Sequence, residues 1–295
     1  MRVLYITGIF YLAALFLLWA GRCGKVSRKL AAVVSVVCLA VGSGALAAAV
    51  YPLGDSYGKT VNRLPDFAGG AELSAPASGL AAQKDGLGGS KAVSSAAATG
   101  RYIALTFDDG PYPPYTDRLL DVLKEKKAKA TFFLVAEQAQ KHPELVRRIV
   151  TEGHTAGLHA FRHRDFLKLT DKEKLEDLEL GKKALLAITG KAPEYWRPPH
   201  GFRDFSVMEA AAKQKLTVVN WSVIPRDWTD IGKQEICDRV LDKAEDGAIV
   251  LLHDGDSPYY KASRQATVDA AVLLIDSLRE KGYHLVSLEE YVRKN

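Results

Sequence analysis

The sequence predicts an α/β fold: a parallel sheet of about seven strands with helices on its outer surface, preceded by a membrane-inserted segment and a linker. Three observations carry this reading. From Arg101 onward, short runs rich in Val, Ile, Phe, Tyr and Leu alternate with longer stretches of helical periodicity. Gly, Pro or Asp bounds these runs, where chain reversals belong. Before residue 55 there are two long stretches without a charge. Strand–helix alternation builds a parallel sheet because each parallel neighbour needs a crossover connection.

In chain order, Val3 to Gly21 and Leu30 to Gly54 are the uncharged stretches. Each is long enough to cross a hydrocarbon core of about 30 Å as a helix. Arg22, Lys25, Arg28 and Lys29 lie between them with no acidic residue. Positive loops stay cytoplasmic, so the N-terminus and everything after Gly54 are expected outside, against the bilayer as a partner. Residues 1–54 then form a membrane anchor of two transmembrane helices. An alternative treats the small residues Ala45 to Val50 as a signal-peptidase site; the large domain is outside either way. Residues 55–98 are rich in Gly, Ala and Ser and are expected to be a flexible linker, too poor in large apolar groups to offset ordering entropy. Residues 99–295 remain as the folded domain.

The formal net charge is +5, from 40 basic and 35 acidic residues. Residues 1–29 hold five basic residues and no acidic one, leaving 35 of each sign in the rest. The basic balance is therefore a topology signal, and no nucleic-acid partner is expected. Cys23, Cys38 and Cys237 fall in the inner loop, a span and the outer domain, so the outer domain has no internal disulfide.

The expected strands are Tyr102–Phe107, Ala130–Val135, His154–His159, Tyr195–Arg197, Thr217–Trp221, Ala248–Leu252 and Tyr283–Leu288. The expected helices are Thr116–Lys127, Glu144–Glu152, Asp171–Thr189, Phe205–Lys215, Lys233–Glu245 and Arg264–Lys281. Thr170-Asp-Lys-Glu173 reads as a capping box, and Gly153, Gly190, Gly247 and Gly282 stand where helices should stop. An open doubly wound sheet and a closed or incomplete barrel both fit this order. In either, ligands bind at the carboxyl ends of the strands. Asp108, Asp109, His159, Arg197 and His253 all fall there.

Each of these residues has an ordinary reading on its own. Adjacent acids after a strand are common in turns, histidines four apart occur by chance, and a tryptophan such as Trp221 or Trp228 belongs to many cores. Together, carboxylates and imidazoles at the ends of different strands are what a catalytic metal centre requires: three protein ligands and an open position for water. Arg197-Pro-Pro-His200 is a rigid stretch able to hold a carboxylate. His142, His154 and His284 are assigned to structure or surface.

The motifs resemble those of the polysaccharide deacetylases of carbohydrate esterase family 4, the NodB-homology group, from Arg101 to about Tyr291. Thr106-Phe-Asp-Asp-Gly110 matches the first motif, His159-Ala-Phe-Arg-His163 the second and Arg197-Pro-Pro-His-Gly201 the third. Arg226-Asp-Trp228 resembles the end of the fourth, and Leu251-Leu-His253 the fifth. The resemblance implies a distorted (β/α) barrel, with Asp109, His159 and His163 as metal ligands. It implies Asp108 as catalytic base, kept ionised by Arg197, and His253 as general acid, with Asp227 orienting either Arg197 or His253. His200 would supply an oxyanion-binding N–H, and Trp228 and Leu251 would line the substrate groove. The cofactor would be one divalent ion, Zn²⁺ foremost, with Co²⁺, Ni²⁺ or Mn²⁺ as alternatives. The expected activity is removal of N-acetyl groups from a cell-surface or cell-wall glycan at the outer face of the cell membrane. A tethered glycan-binding module with a degenerate site, or an O-acetyl esterase, is the alternative. Ala160, His200 and Ile224 depart from the family pattern.

Overall fold

The computed structural model describes residues 2–22, 30, 32–41, 60–64 and 101–294. Its seven strands are β1 (Arg101–Asp108), β2 (Thr131–Val135), β3 (Thr155–Ala160), β4 (Tyr195–Trp196), β5 (Thr217–Val218), β6 (Ala248–His253) and β7 (Tyr283–Leu285). The order across the sheet is β5-β4-β3-β2-β1-β6, with β7 also on β1, and every pairing is parallel. Helices Tyr115–Glu125, Pro143–Thr151, Asp171–Thr189, Phe205–Lys213, Lys233–Lys243 and Gln265–Glu280 match the six expected patterns to within a few residues. The Thr170 capping box is present, and all four expected stop glycines have positive φ.

Three strands end earlier than the sequence pattern suggests, β4 by one residue and β5 and β7 by three. β5 stops at Val218 because the next residues leave the sheet ladder and bridge elsewhere, Val219 with Val61 and Val223 with Val250. β7 stops at Leu285 because a helix, Leu288–Lys294, begins there. The N–H groups of Leu288 and Glu289 donate to the Thr131 and Thr155 hydroxyls at 3.0 and 3.1 Å, which satisfies that helix start. The short helix Ala136–Lys141 was also not foreseen.

Alternation along the strands separates two cores. Ile103, Leu105, Phe107, Phe132, Leu134, Leu158, Trp196, Val250 and Leu252 pack outward under the helices. Ala104, Phe133, Tyr195, Val219, Trp221, Ile249 and Leu251 pack together on the inner side. Gly157 is needed there: a Cβ would stand 2.8 Å from the Phe133 ring. Cys237 is buried in the outer layer and forms no disulfide.

Residues 60–64, within the stretch read from sequence as flexible linker, are packed against the sheet. Val61 pairs parallel with Val219 and Arg63 antiparallel with Ala248. Val61 N–H donates to Val218 O at 2.9 Å, Leu64 N–H to Gly247 O at 2.7 Å, and Asn220 N–H to Val61 O at 2.8 Å. Leu64 is fully buried with the inner core. The segment therefore joins the β5 and β6 sides of the sheet. The composition around it obscured five residues that do bury apolar surface. The rest of the expected linker lies outside the described residues.

Near the N-terminus, Arg2–Arg22 is a 21-residue helix, and residues 32–41 are helical. Among the described residues no helix is long and apolar enough to cross a membrane. The remainder of the second uncharged stretch lies outside them.

Leu274 is fully buried in the outer layer, on the helix Gln265–Glu280 and away from the strand ends. Leu274→Ala is expected to cost about 2–5 kcal/mol, read as a lower denaturant midpoint. Turnover at temperatures below the transition should be unchanged.

Candidate active site

The mouth at the carboxyl ends of the strands collects the residues that the sequence pattern singled out. Asp108, His159, Arg197 and His253 fall on the inward-facing alternation of β1, β3, β4 and β6, so strand period and register alone bring them to one place. The hydrogen-bonded register sets Asp108 directly opposite His253.

Asp109 follows β1 with φ 77°, which turns its carboxylate away from the strand direction. Its Oδ2 accepts from Ser257 N–H at 3.2 Å. Its Oδ1 is buried without a hydrogen-bond partner and stands 3.5 Å from His159 Nε2 and 3.4 Å from His163 Nε2. His159 Nδ1 lies 2.7 Å from Arg197 O; with the proton on Nδ1, this bond leaves the Nε2 lone pair facing Asp109. Burial first, and then the neighbouring His163, holds His159 well below the usual imidazole range. Burial also lowers His163. Neutral imidazoles and a carboxylate whose donor atoms lie within 4.8 Å of one another suit a divalent cation. An orphaned buried carboxylate oxygen is what such an ion would satisfy. Gly255 closes on this ligand, since a Cβ there would stand 2.4 Å from the Asp109 carbonyl carbon.

Asp108 is braced by a fully buried arginine. Arg197 Nη1 donates to Asp108 Oδ1 at 2.7 Å and to Thr106 Oγ1 at 2.8 Å. Its Nε and Nη2 donate to Val219 O and Asn220 O at 3.1 and 2.7 Å. The guanidinium lies 4.1 Å from the centre of the Phe133 ring. Burial pushes the Asp108 carboxyl up to about 6, against the pull of Arg197 and His253.

On the other side of the mouth, Asp227 Oδ1 lies 2.9 Å from His253 Nδ1. Asp227 Oδ2 accepts from His253 N–H and from Thr267 Oγ1, both at 2.8 Å. The sequence left open whether Asp227 orients Arg197 or His253; the contacts are with His253. Burial opposes charge on His253, but Asp227, Asp109 and Asp108 more than offset it and lift the imidazole to about 9.

A cavity of about 520 Å³ opens between these groups. The half-exposed Trp228 meets the His253 ring edge-on at 5.2 Å, while Leu251 and Ile224 line the wall. His200 sits at φ 61° with its ring 4.9 Å from that of His163. His154 is structural, as expected: it is buried and its Nδ1 accepts from Ala130 N–H at 3.2 Å.

The sequence reading missed the loop after β6. Asp256, Ser257, Tyr259 and Arg264 also line the cavity. Asp254 is fully buried, accepts from Thr116 Oγ1 at 2.6 Å and lies where a Gly110 side chain would go. Burial, with Asp109 and Asp108 nearby, raises Asp254 to about 7. The signal was available: a Gly- and Pro-containing loop at a strand's carboxyl end is where binding groups gather.

The polysaccharide deacetylase family model matches residues 95–219. A peptidoglycan-N-acetylglucosamine deacetylase from Bacillus cereus is 37% identical over 195 residues, covering 65% of this chain and 89% of the relative. The chain belongs to the polysaccharide deacetylase family. A chitooligosaccharide deacetylase from a Bradyrhizobium species is also 37% identical, over 64% of this chain and 90% of its own length. The solved structure of peptidoglycan deacetylase PdaC from Bacillus subtilis superposes with a TM-score of 0.59 at 36% identity, covering 66% of this chain and 93% of that one. This deacetylase is therefore an enzyme, a hydrolase of amide bonds.

If Asp109, His159 and His163 hold a cation, His159→Ala and His163→Ala should each lower bound metal in the purified protein, because each removes one of three ligands. Full metal content in both variants would exclude this site.

Proposed function

We propose that this polysaccharide deacetylase removes N-acetyl groups from the amino sugars of a cell-wall glycan of the peptidoglycan or chitin-like class. The observation that carries the reading is the convergence on one cavity of three elements: a buried cation-binding triad, a carboxylate braced by Arg197 and an imidazole braced by Asp227. The named activities of the relatives supply the substrate class. Asp109, His159 and His163 would hold a divalent ion, Zn²⁺ foremost, which when bound would supply Lewis acidity to the acetyl carbonyl and to water.

The protein's own groups do the rest. Asp108 takes the proton of the attacking water, and its ion pair with Arg197 keeps the accepting oxygen oriented and charged. By the family resemblance, the backbone N–H of His200 would donate to the developing oxyanion, a role in which fixed donors act most strongly in a dry site. His253, held protonated by Asp227, gives its proton to the departing amine. Trp228 and Leu251 form the apolar wall for the acetyl methyl. A pure binding module would have no use for a braced acid and a braced base on the same cavity.

The deacetylase is further proposed to act outside the membrane, anchored by its N-terminal helices. In Arg2–Arg22, Ala14 and Ala20 are buried, while Leu12, Leu15 and Phe16 are exposed. Ser35 Oγ donates to Ala14 O at 3.0 Å, and Val33, Val36 and Val37 are exposed. Small residues between helices with large apolar ones outside is the arrangement expected of helices packed in lipid. The basic residues Arg22 to Lys29 set the orientation.

Acetate release from a panel of N-acetylated glycans, abolished by chelator and restored by divalent metal, tests the reading directly. Asp108→Asn should retain metal yet lose roughly 10²–10⁴ in kcat.

The pH profile should be bell-shaped, with an acidic limb from Asp108 and an alkaline limb from His253. Without the ion these groups sit at about 6 and about 9; its positive charge moves both limbs lower. Asp227 raises His253, so Asp227→Asn should shift the alkaline limb to lower pH. An unmoved limb would remove His253 from the role.

Protease added to intact cells should cleave the domain Arg101–Asn295. Protection of that domain would overturn the outside assignment.

A further inference from the structure

Residues 60–64 touch the hydrogen-bond network that holds the catalytic base. The peptide group joining Val219 to Asn220 is bonded at both ends. Its N–H donates to Val61 O at 2.8 Å, and its carbonyl accepts from Arg197 Nε at 3.1 Å. The next carbonyl, Asn220 O, accepts from Arg197 Nη2 at 2.7 Å. Arg197 in turn donates to Asp108. A peptide plane has one rotational setting, so fixing its N–H fixes the direction of its carbonyl. Hydrogen bonds in series through one amide also polarise each other in a low-dielectric interior. Apolar packing holds the segment in place as well, since Val61 and Leu64 belong to the same inner core as Val219 and Trp221. Among the described residues no other strand lies between β5 and β6 to do this, for β5 is an edge of the sheet.

We propose that residues 60–64 are a positioning segment of the deacetylase site: Val61 sets the Val219–Asn220 peptide, that peptide sets Arg197, and Arg197 sets Asp108. The segment lies before the region matched by the family model, residues 95–219. The catalytic unit thus includes a piece of chain separated from it in sequence. The inference rests on the reading of Asp108 as base, and its test includes a readout that does not depend on turnover.

The test uses the full-length protein with Val61→Pro, which removes the N–H that donates to Val218 O, and Leu64→Ala, which loosens the apolar seat but keeps every backbone bond. Leu274→Ala serves as a control destabilised elsewhere. All are assayed well below their unfolding midpoints, per folded molecule. The expected result is a fall in kcat of at least tenfold for Val61→Pro and a smaller fall for Leu64→Ala, with KM and metal content unchanged. Leu274→Ala should match wild type, and Val61→Ile, which keeps the N–H and the apolar side chain, should retain activity. The second readout is phenylglyoxal modification of Arg197, mapped by mass spectrometry. Arg197 is fully buried, so wild type and Leu274→Ala should resist, while Val61→Pro reacts faster.

Wild-type kcat in both segment variants, or Arg197 as protected in Val61→Pro as in the control, would overturn the proposal. If Val61→Pro does not fold, Leu64→Ala decides by the same two measurements. If wild type releases no acetate from any glycan, the functional reading falls, and Arg197 protection still decides whether the segment governs Arg197.

Discussion

The buried ion pair of Arg197 and Asp108 is the constraint on which the mouth of this protein depends. A guanidinium with no solvent exposure must have its charge and its donors satisfied, or it destabilises the fold by several kcal/mol. Here the donors reach a side chain of β1, a carboxylate at its end, and two carbonyls beyond β5. Those partners come from opposite sides of the sheet, so satisfying one residue draws the sheet together across its interior. The Arg197 carbonyl, meanwhile, accepts from His159 and fixes that imidazole's tautomer. One residue thus orients both the base and a ligand atom of the cation site.

Chemically identical side chains are set to different tasks by what surrounds them. Burial strips hydration from His159 and His163 and lowers both below the usual imidazole range, beside the Asp109 carboxylate oxygen they share. His253 is only partly buried, faces Asp227 and is pushed the other way. Two imidazoles suited to a cation and one suited to proton donation therefore share a cavity, as an acid–base mechanism beside a metal requires.

Much of this was legible in the sequence, and the reasons are local. A run such as Ala248 to Leu252 is apolar on both faces, which marks a buried parallel strand. The residue that ends such a strand points to the mouth, so Asp108, His159 and His253 can be placed there from the sequence alone. What stayed hidden has long-range causes. The role of Asp227 depended on which of two partners the folded chain would bring to it. The loop from Asp254 to Arg264 carries no periodicity, and its organisation rests on Arg264 bonding Gly255 O and Asp256. Residues 60–64 were masked by the Gly- and Ala-rich composition around them. Composition averages over a window, whereas burial is decided residue by residue.

The position of residues 60–64 gives the sheet a short internal tie. Leu64 N–H bonds Gly247 O, and Gly247 N–H bonds Tyr102 O. At its other end the segment meets Val218 and Asn220, beside the carbonyls that hold Arg197. Five residues thus reach from the partners of Arg197 to the turn that opens β6 and the start of β1, so a disturbance at either place is felt at the other.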